Sequence, residues 1–192
     1  MLSHSPVLLC DMRFVDPADI DSVAVEPDYC HRCGTEVGTS VFEGDEYPWC
    51  PACDLVLSRS PVPGVHVVVH DDSDVLVLDE PIPQHEGVLS LPGGHAKSDE
   101  GPKEAVVREL EEETGLRADP TDLRFVTILH AEKPRVAFYL ITYAVDRSAV
   151  SGELNTEFDG FDAGFRPLAE IEASPDRIRA SDLDRIQMAF EG

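Results

Sequence analysis

Four glutamates, Glu100, Glu109, Glu112 and Glu113, follow the glycine pair Gly93-Gly94. Spacings of three and four residues bring Glu109, Glu112 and Glu113 onto neighbouring turns of a helix, where like charges repel unless a cation sits among them. Clustered carboxylate oxygens suit a hard ion such as Mg²⁺ or Mn²⁺, which keeps coordination positions for phosphate oxygens. The chemistry expected is therefore a divalent metal held against a pyrophosphate, with Arg108 pairing to one of these glutamates and orienting it. A second group consists of Cys30, Cys33, Cys50 and Cys53, two C-x-x-C pairs with sixteen residues between them. That is the spacing of a four-thiolate Zn²⁺ site, and with every position taken by sulfur the ion would be structural. Gly34 relieves the turn after the first pair, and His31 reads as a bystander to the four thiolates. A disulfide framework is the competing reading, disfavoured in a reducing cytoplasm.

The elements that must position these groups can be read from punctuation and period. Pro102 suits the first turn of a helix and Gly115 the left-handed residue that ends one, so a helix is expected from Pro102 to Thr114. Val106, Val107, Leu110 and Thr114 recur at helical spacing and should face a core. Leu91-Pro92-Gly93-Gly94 reads as a strand end and a turn that lets Glu100 swing towards the same helix. Residues 65–69 and 75–78 read as a hairpin, 123–129 and 135–145 as later strands, and 168–172 and 181–190 as closing helices. Residues 29–58 have too few apolar side chains to build a core without metal, and 59–64 read as a short connector. Within residues 1–28, 16–20 could start a short helix, and Cys10 reads as an ordinary buried thiol.

Gly94, Glu100, Arg108, Glu109, Leu110, Glu112, Glu113, Gly115 and Leu116 fill every specified position of G-x5-E-x7-R-E-U-x-E-E-x-G-U, with U a bulky aliphatic residue. The stretch resembles the Nudix box, the signature of hydrolases of nucleoside diphosphates linked to another moiety. The resemblance implies an α/β fold, the Nudix α/β/α sandwich with a mixed sheet, here preceded by a small four-cysteine zinc ribbon. It divides the chain into an N-terminal segment (1–28), the ribbon (29–58) and a Nudix domain (61–192). It implies Glu109, Glu112 and Glu113 as principal Mg²⁺ or Mn²⁺ ligands, with Glu100 and Gly94 auxiliary. The resemblance implies Glu112, Glu157 and Arg108 as the catalytic set. Glu157, in a loop near the end of the fold, or a residue of the box would take the proton from water, while Arg108 orients a carboxylate. A ribbon directly before the box resembles the NADH pyrophosphatase branch. Residues 116–145 carry no Ser-Gln-Pro-Trp-Pro run of that branch, and Lys97 stands where many Nudix chains have an acid. The substrate class thus includes NAD(H)-like dinucleotides, ADP-sugars and nucleoside triphosphates. A nucleotide-sensing binding module, with the ribbon contacting a partner, is the alternative from a different class. A homodimer is a further implication of the resemblance.

Composition bounds the partners. The 192 residues carry 38 Asp plus Glu against 15 Lys plus Arg, a formal net charge of -23. Such an excess repels nucleic-acid backbones, which are held by clustered Lys and Arg, and suits a halophilic cytoplasm whose salt screens self-repulsion. The sequence shows no membrane-spanning run and no basic signal-peptide start, so a cytoplasmic protein is expected.

Overall fold

The computed structural model describes residues 27–42, 44–57, 61–79, 87–133, 136–156 and 162–191. The cysteine-bearing segment forms a three-stranded antiparallel sheet of β1 (Gly38–Phe42), β2 (Asp45–Cys50) and β3 (Leu55–Val56). Its apolar interior among the described residues is small: Cys30, Cys50 and Leu57 are buried, with Val37 and Cys53 packed on them.

β4 (Val62–His70) and β5 (Asp74–Asp79) follow, joined by a turn in which Asp71 accepts the Ser73 and Asp74 amides. Strand β4 begins at Val62 and pairs with its neighbour from there, which shortens the connector expected over 59–64. Pro63 is tolerated because it lies at the strand's start, where the missing N–H interrupts no inner ladder. Next come β6 (Leu89–Ser90), β7 (Gly93–His95) and helix α1 (Pro102–Thr114). The helix opens on Pro102 and closes on Gly115 at φ 71°, the bounds read from the sequence.

After α1 come β8 (Leu116–Arg117), β9 (Arg124–Lys133), β10 (Val136–Asp146), β11 (Ser151–Gly152), β12 (Asp162–Pro167), α2 (Leu168–Glu172) and α3 (Ala180–Phe190). The main sheet runs β12-β5-β4-β10-β9, with β6 on β5 and β7 on β4. β10 is parallel to β4 and antiparallel to β9, so the sheet is mixed. A parallel pair needs a long crossover, and α1 lies within it.

Burial on both faces explains the unbroken valine and leucine runs of β4 and β5. Val65, Val67 and Val69 face one layer with Val106 and Leu110 of α1. Val68, Val75 and Val77 face the other with Ile171 of α2 and Ile186 of α3. Helices on both sides of a mixed sheet give the α/β/α arrangement expected. No helix among the described residues is long and apolar enough to cross a membrane. Residues 16–20 and Cys10 lie outside the described residues, as does Pro134 of the turn that the sequence places near Lys133-Pro134.

Candidate functional site

Helix α1 brings Arg108 to the middle of the glutamates. Its Nε donates to Glu100 Oε1 at 2.6 Å and one Nη to Glu100 Oε2 at 2.9 Å, a bidentate pairing. The other Nη donates to both Glu109 Oε1 and Glu112 Oε2 at 2.8 Å. A further bond to the His95 carbonyl at 3.0 Å ties the guanidinium to the end of β7. Arg108 therefore serves three glutamates, where pairing with one was expected. The i, i+4 step reaches Glu112, and the turn after His95 returns Glu100 to the same guanidinium.

Glu113 belongs to a different contact: its Oε2 accepts the Gly93 amide at 2.8 Å. Gly94 approaches Glu109 closely: a Cβ there would lie 2.6 Å from Glu109 Oε1, so a larger residue would displace that carboxylate. The glycine turn thus rests directly on two of the carboxylates.

Environment separates these acids electrically. The Arg108 hydrogen bonds hold the Glu100 carboxyl at about 2, and the same bonds raise the Arg108 pKa. Burial pushes Glu113 up to about 8; the Gly93 amide opposes the shift, and the charges of Glu109 and Glu112 add to it. Glu109 and Glu112 each present one oxygen to Arg108, and Glu113 presents one to Gly93, so the second oxygen of each takes no part in those contacts. Carboxylate oxygens are the hard donors that suit Mg²⁺ or Mn²⁺, although in this structure those of Glu109, Glu112 and Glu113 do not all lie within 4.8 Å of one another. The NUDIX domain description matches residues 60–185, which contain this whole arrangement. The chain belongs to the NUDIX domain family.

A Caenorhabditis elegans protein with a provisional nudix hydrolase name is 30% identical over 118 residues, 60% of this chain and 30% of its own length. An ADP-ribose pyrophosphatase of Methanocaldococcus jannaschii is 31% identical over 111 residues, 58% of this chain and 64% of its own length. The chain therefore spans less than two thirds of either relative. Among solved structures, a NUDIX hydrolase from Nitrosomonas europaea superposes with a TM-score of 0.60 at 19% identity, covering 86% of this chain and 91% of that one. The fold is the same, and the likeness extends in front of residue 60.

Of the residues proposed from the sequence, the Nudix fold brings Gly94, Glu100, Arg108, Glu109 and Glu112 together, and Glu113 joins them through Gly93. Glu157 lies outside the described residues. His66, His70 and His95 lie on the sheet, and His95 stacks on Phe138 with ring centroids 6.1 Å apart.

The four cysteines form a separate cluster. Their sulfurs lie within 4.8 Å of one another, the one such convergent group of Cys, His, Asp and Glu ligand atoms among the described residues. All four are free thiols, with Cys33 Sγ 3.6 Å from Cys50 Sγ. The C-x-x-C turns bring them together, Gly34 taking φ +72° just after the first pair. Soft sulfurs converging at tetrahedral range fit Zn²⁺. Trp49 Nε1 donates to Asp54 Oδ1 at 3.1 Å, tying the indole to the second pair.

Sequence reading missed Asp182 and Arg185, an ion pair buried at 1% exposure each behind the glycine turn. A signal existed: extending the buried positions Ile186 and Ala189 back by helical steps lands on 182 and 185. Charges on the inward face of a helix demand a reason.

Proposed function

We propose that this Nudix protein hydrolyses a pyrophosphate bond in a nucleoside diphosphate joined to another moiety, ADP-ribose foremost. The observation that carries the reading is the convergence of Glu100, Glu109 and Glu112 on Arg108, with Glu113 and Glu109 set against the glycine turn. The name of the Methanocaldococcus jannaschii relative supports ADP-ribose within the class. The ribbon ahead of the box argues for testing NAD(H)-like dinucleotides next, and the missing Ser-Gln-Pro-Trp-Pro run ranks them behind ADP-ribose.

Glu109, Glu112 and Glu113 would hold Mg²⁺ or Mn²⁺, with Glu100 and Gly94 auxiliary; the ion, when bound, supplies positive charge to the pyrophosphate oxygens. Arg108 holds one oxygen of Glu109 and one of Glu112 in place. Glu112 is the solvent-facing member, its side chain 46% exposed against 14% for Glu109, so it is the described residue best placed to take a proton from an attacking water. Glu157 is the other candidate for that role. In the same reading the chain divides into a segment over 1–28, a ribbon over 29–58 held by structural Zn²⁺ on Cys30, Cys33, Cys50 and Cys53, and the Nudix domain over 61–192.

The test is release of AMP from ADP-ribose by purified protein in molar KCl with Mg²⁺ or Mn²⁺. Glu112→Gln and Glu113→Gln should each lower turnover by about 100-fold or more while circular dichroism stays unchanged. Absence of turnover on ADP-ribose, NADH, diadenosine polyphosphates and nucleoside triphosphates, together with tight metal-independent nucleotide binding, would establish a sensing module instead.

A further inference from the structure

The segment entering α3 is strapped to the strand that leads into the glycine turn. Ile178 bridges Leu89 in parallel, and the Arg179 amide donates to the Leu89 carbonyl at 3.2 Å. One step further, the Leu91 amide donates to Asp182 Oδ2 at 2.9 Å. The second Asp182 oxygen, Oδ1, accepts from the Arg185 guanidinium. Arg185 also donates to Thr142 Oγ1 at 3.1 Å and to the Ser181 carbonyl at 2.9 Å. Both members of the pair are 1% exposed, so the carboxylate is fixed from behind by β10 and its own helix while it holds Leu91 in front.

A buried ion pair is not needed for stability, because apolar residues of the same volume serve as well or better. What an apolar pair cannot do is accept the Leu91 amide. The turn has further ties: the Val67 amide donates to the Pro92 carbonyl at 3.0 Å, the Gly93 amide donates to Glu113 at 2.8 Å, and Gly93 and Gly94 pair with His66 and Val65 of β4. The packing around the two glycines is close. A Cβ on Gly93 would lie 2.1 Å from the Val65 carbonyl oxygen, and one on Gly94 would lie 2.6 Å from Glu109 Oε1. Leu91 thus lies two residues from the Gly93 amide that Glu113 accepts and three from Gly94, which packs on Glu109.

We propose that Asp182, braced by Arg185, is a positioning residue of the α1 carboxylate site: it fixes the turn over 91–94 and thereby sets the site's affinity for divalent metal. The inference rests on the reading that these glutamates hold metal.

The experiment is Mn²⁺ binding to the intact chain, followed by the electron paramagnetic resonance of free Mn²⁺. It compares wild type, Asp182→Asn, Asp182→Ala, Glu112→Gln and the control Ile186→Ala. An amide has one acceptor oxygen and cannot serve both Leu91 and Arg185, so Asp182→Asn should weaken Mn²⁺ binding, and Asp182→Ala should weaken it by about tenfold. Ile186 is fully buried on the same helix and makes no hydrogen bond to the turn, so Ile186→Ala should lower the thermal midpoint and leave Mn²⁺ affinity unchanged. If Asp182→Ala does not fold, Asp182→Asn decides the matter. Wild-type Mn²⁺ affinity in folded Asp182→Asn, or equal weakening in Ile186→Ala, overturns the inference alone. No Mn²⁺ binding sensitive to Glu112→Gln in the wild-type protein overturns the underlying reading as well.

Discussion

At the scale of residues, identical side chains acquire different chemistry from their neighbours. Glu100, held by Arg108, has its carboxyl at about 2, and Glu113, buried against the Gly93 amide, is at about 8. The turn before α1 thus carries a carboxylate that stays charged, and α1 itself one that stays protonated near neutrality until a cation takes the proton's place. His66 is perturbed more plainly. Its Nδ1 is buried without a hydrogen-bond partner, and burial, reinforced by the Arg185 charge, lowers its pKa from 6.5 to about 3. The folded state therefore holds His66 neutral where the unfolded chain would protonate it. Stability should fall as pH drops below 6.5 and go on falling until about 3. Glu113 acts with the opposite sign: its folded pKa lies above the unfolded 4.5, so its contribution is present below 4.5 and is lost as pH rises to about 8. The two overlap, so the expected outcome concerns a difference. Urea unfolding between about pH 6 and 4 should show wild type losing stability faster than His66→Gln, by up to about 1.4 kcal/mol per pH unit. Parallel curves would show that the imidazole stays solvated.

At the scale of elements, the ribbon of β1, β2 and β3 has Leu57 as its one fully enclosed non-cysteine side chain among the described residues. Apolar burial that small does not order such a segment, whereas a structural Zn²⁺ in small domains supplies roughly 10–16 kcal/mol of apparent binding energy. Trp49 is the chain's single tryptophan and lies on β2, bonded to Asp54 beside Cys53. Its fluorescence therefore reports this element alone. Chelation should release one Zn²⁺ per chain and shift Trp49 emission to the red, with Cys50→Ser reproducing the shift; emission unmoved by chelation, or no zinc in the purified protein, would count against the assignment. The elements differ in how much of them could be read beforehand. Helix α1 was legible to both ends because Pro102, Gly115 and the Val106, Leu110, Thr114 spacing all agree. Strand β12 was not: Asp-Ala-Gly-Phe-Arg-Pro shows no alternation and carries both a glycine and a proline, which an edge strand tolerates. The pair β8 and β11, two residues each, is too short for any period. At the site, spacing identified the glutamates. The Arg108 contacts with Glu100 depend on the path of residues 95–100, and the Asp182 strap on a pairing across the chain, neither of which local pattern encodes.

At the scale of the molecule, a net charge of -23 opposes folding through repulsion that no local contact cancels. Basic partners are few. Arg108 is spent on three acids, Arg147 bonds Asp71 at 3.0 Å, Arg117 pairs with Glu111 at 2.6 Å, and Arg185 is buried with Asp182. Acids outnumber basic residues 38 to 15, and the range of repulsion among exposed acids is set by salt: about 10 Å at 0.1 M and about 3 Å at 1 M. Raising KCl from about 0.1 to 2 M should thus raise the thermal midpoint, and most of the gain should come below about 1 M, where the screening length changes most. Replacing a group of exposed acids away from α1, such as Asp72, Glu170 and Asp176, by Asn and Gln should flatten that dependence and raise the midpoint in dilute buffer. Comparing KCl with sucrose at matched osmotic strength separates screening from general exclusion of solute, because only the salt shortens the range of charge. A midpoint that rises equally in both would assign the effect to exclusion and leave the acidic surface without a stabilising role for salt.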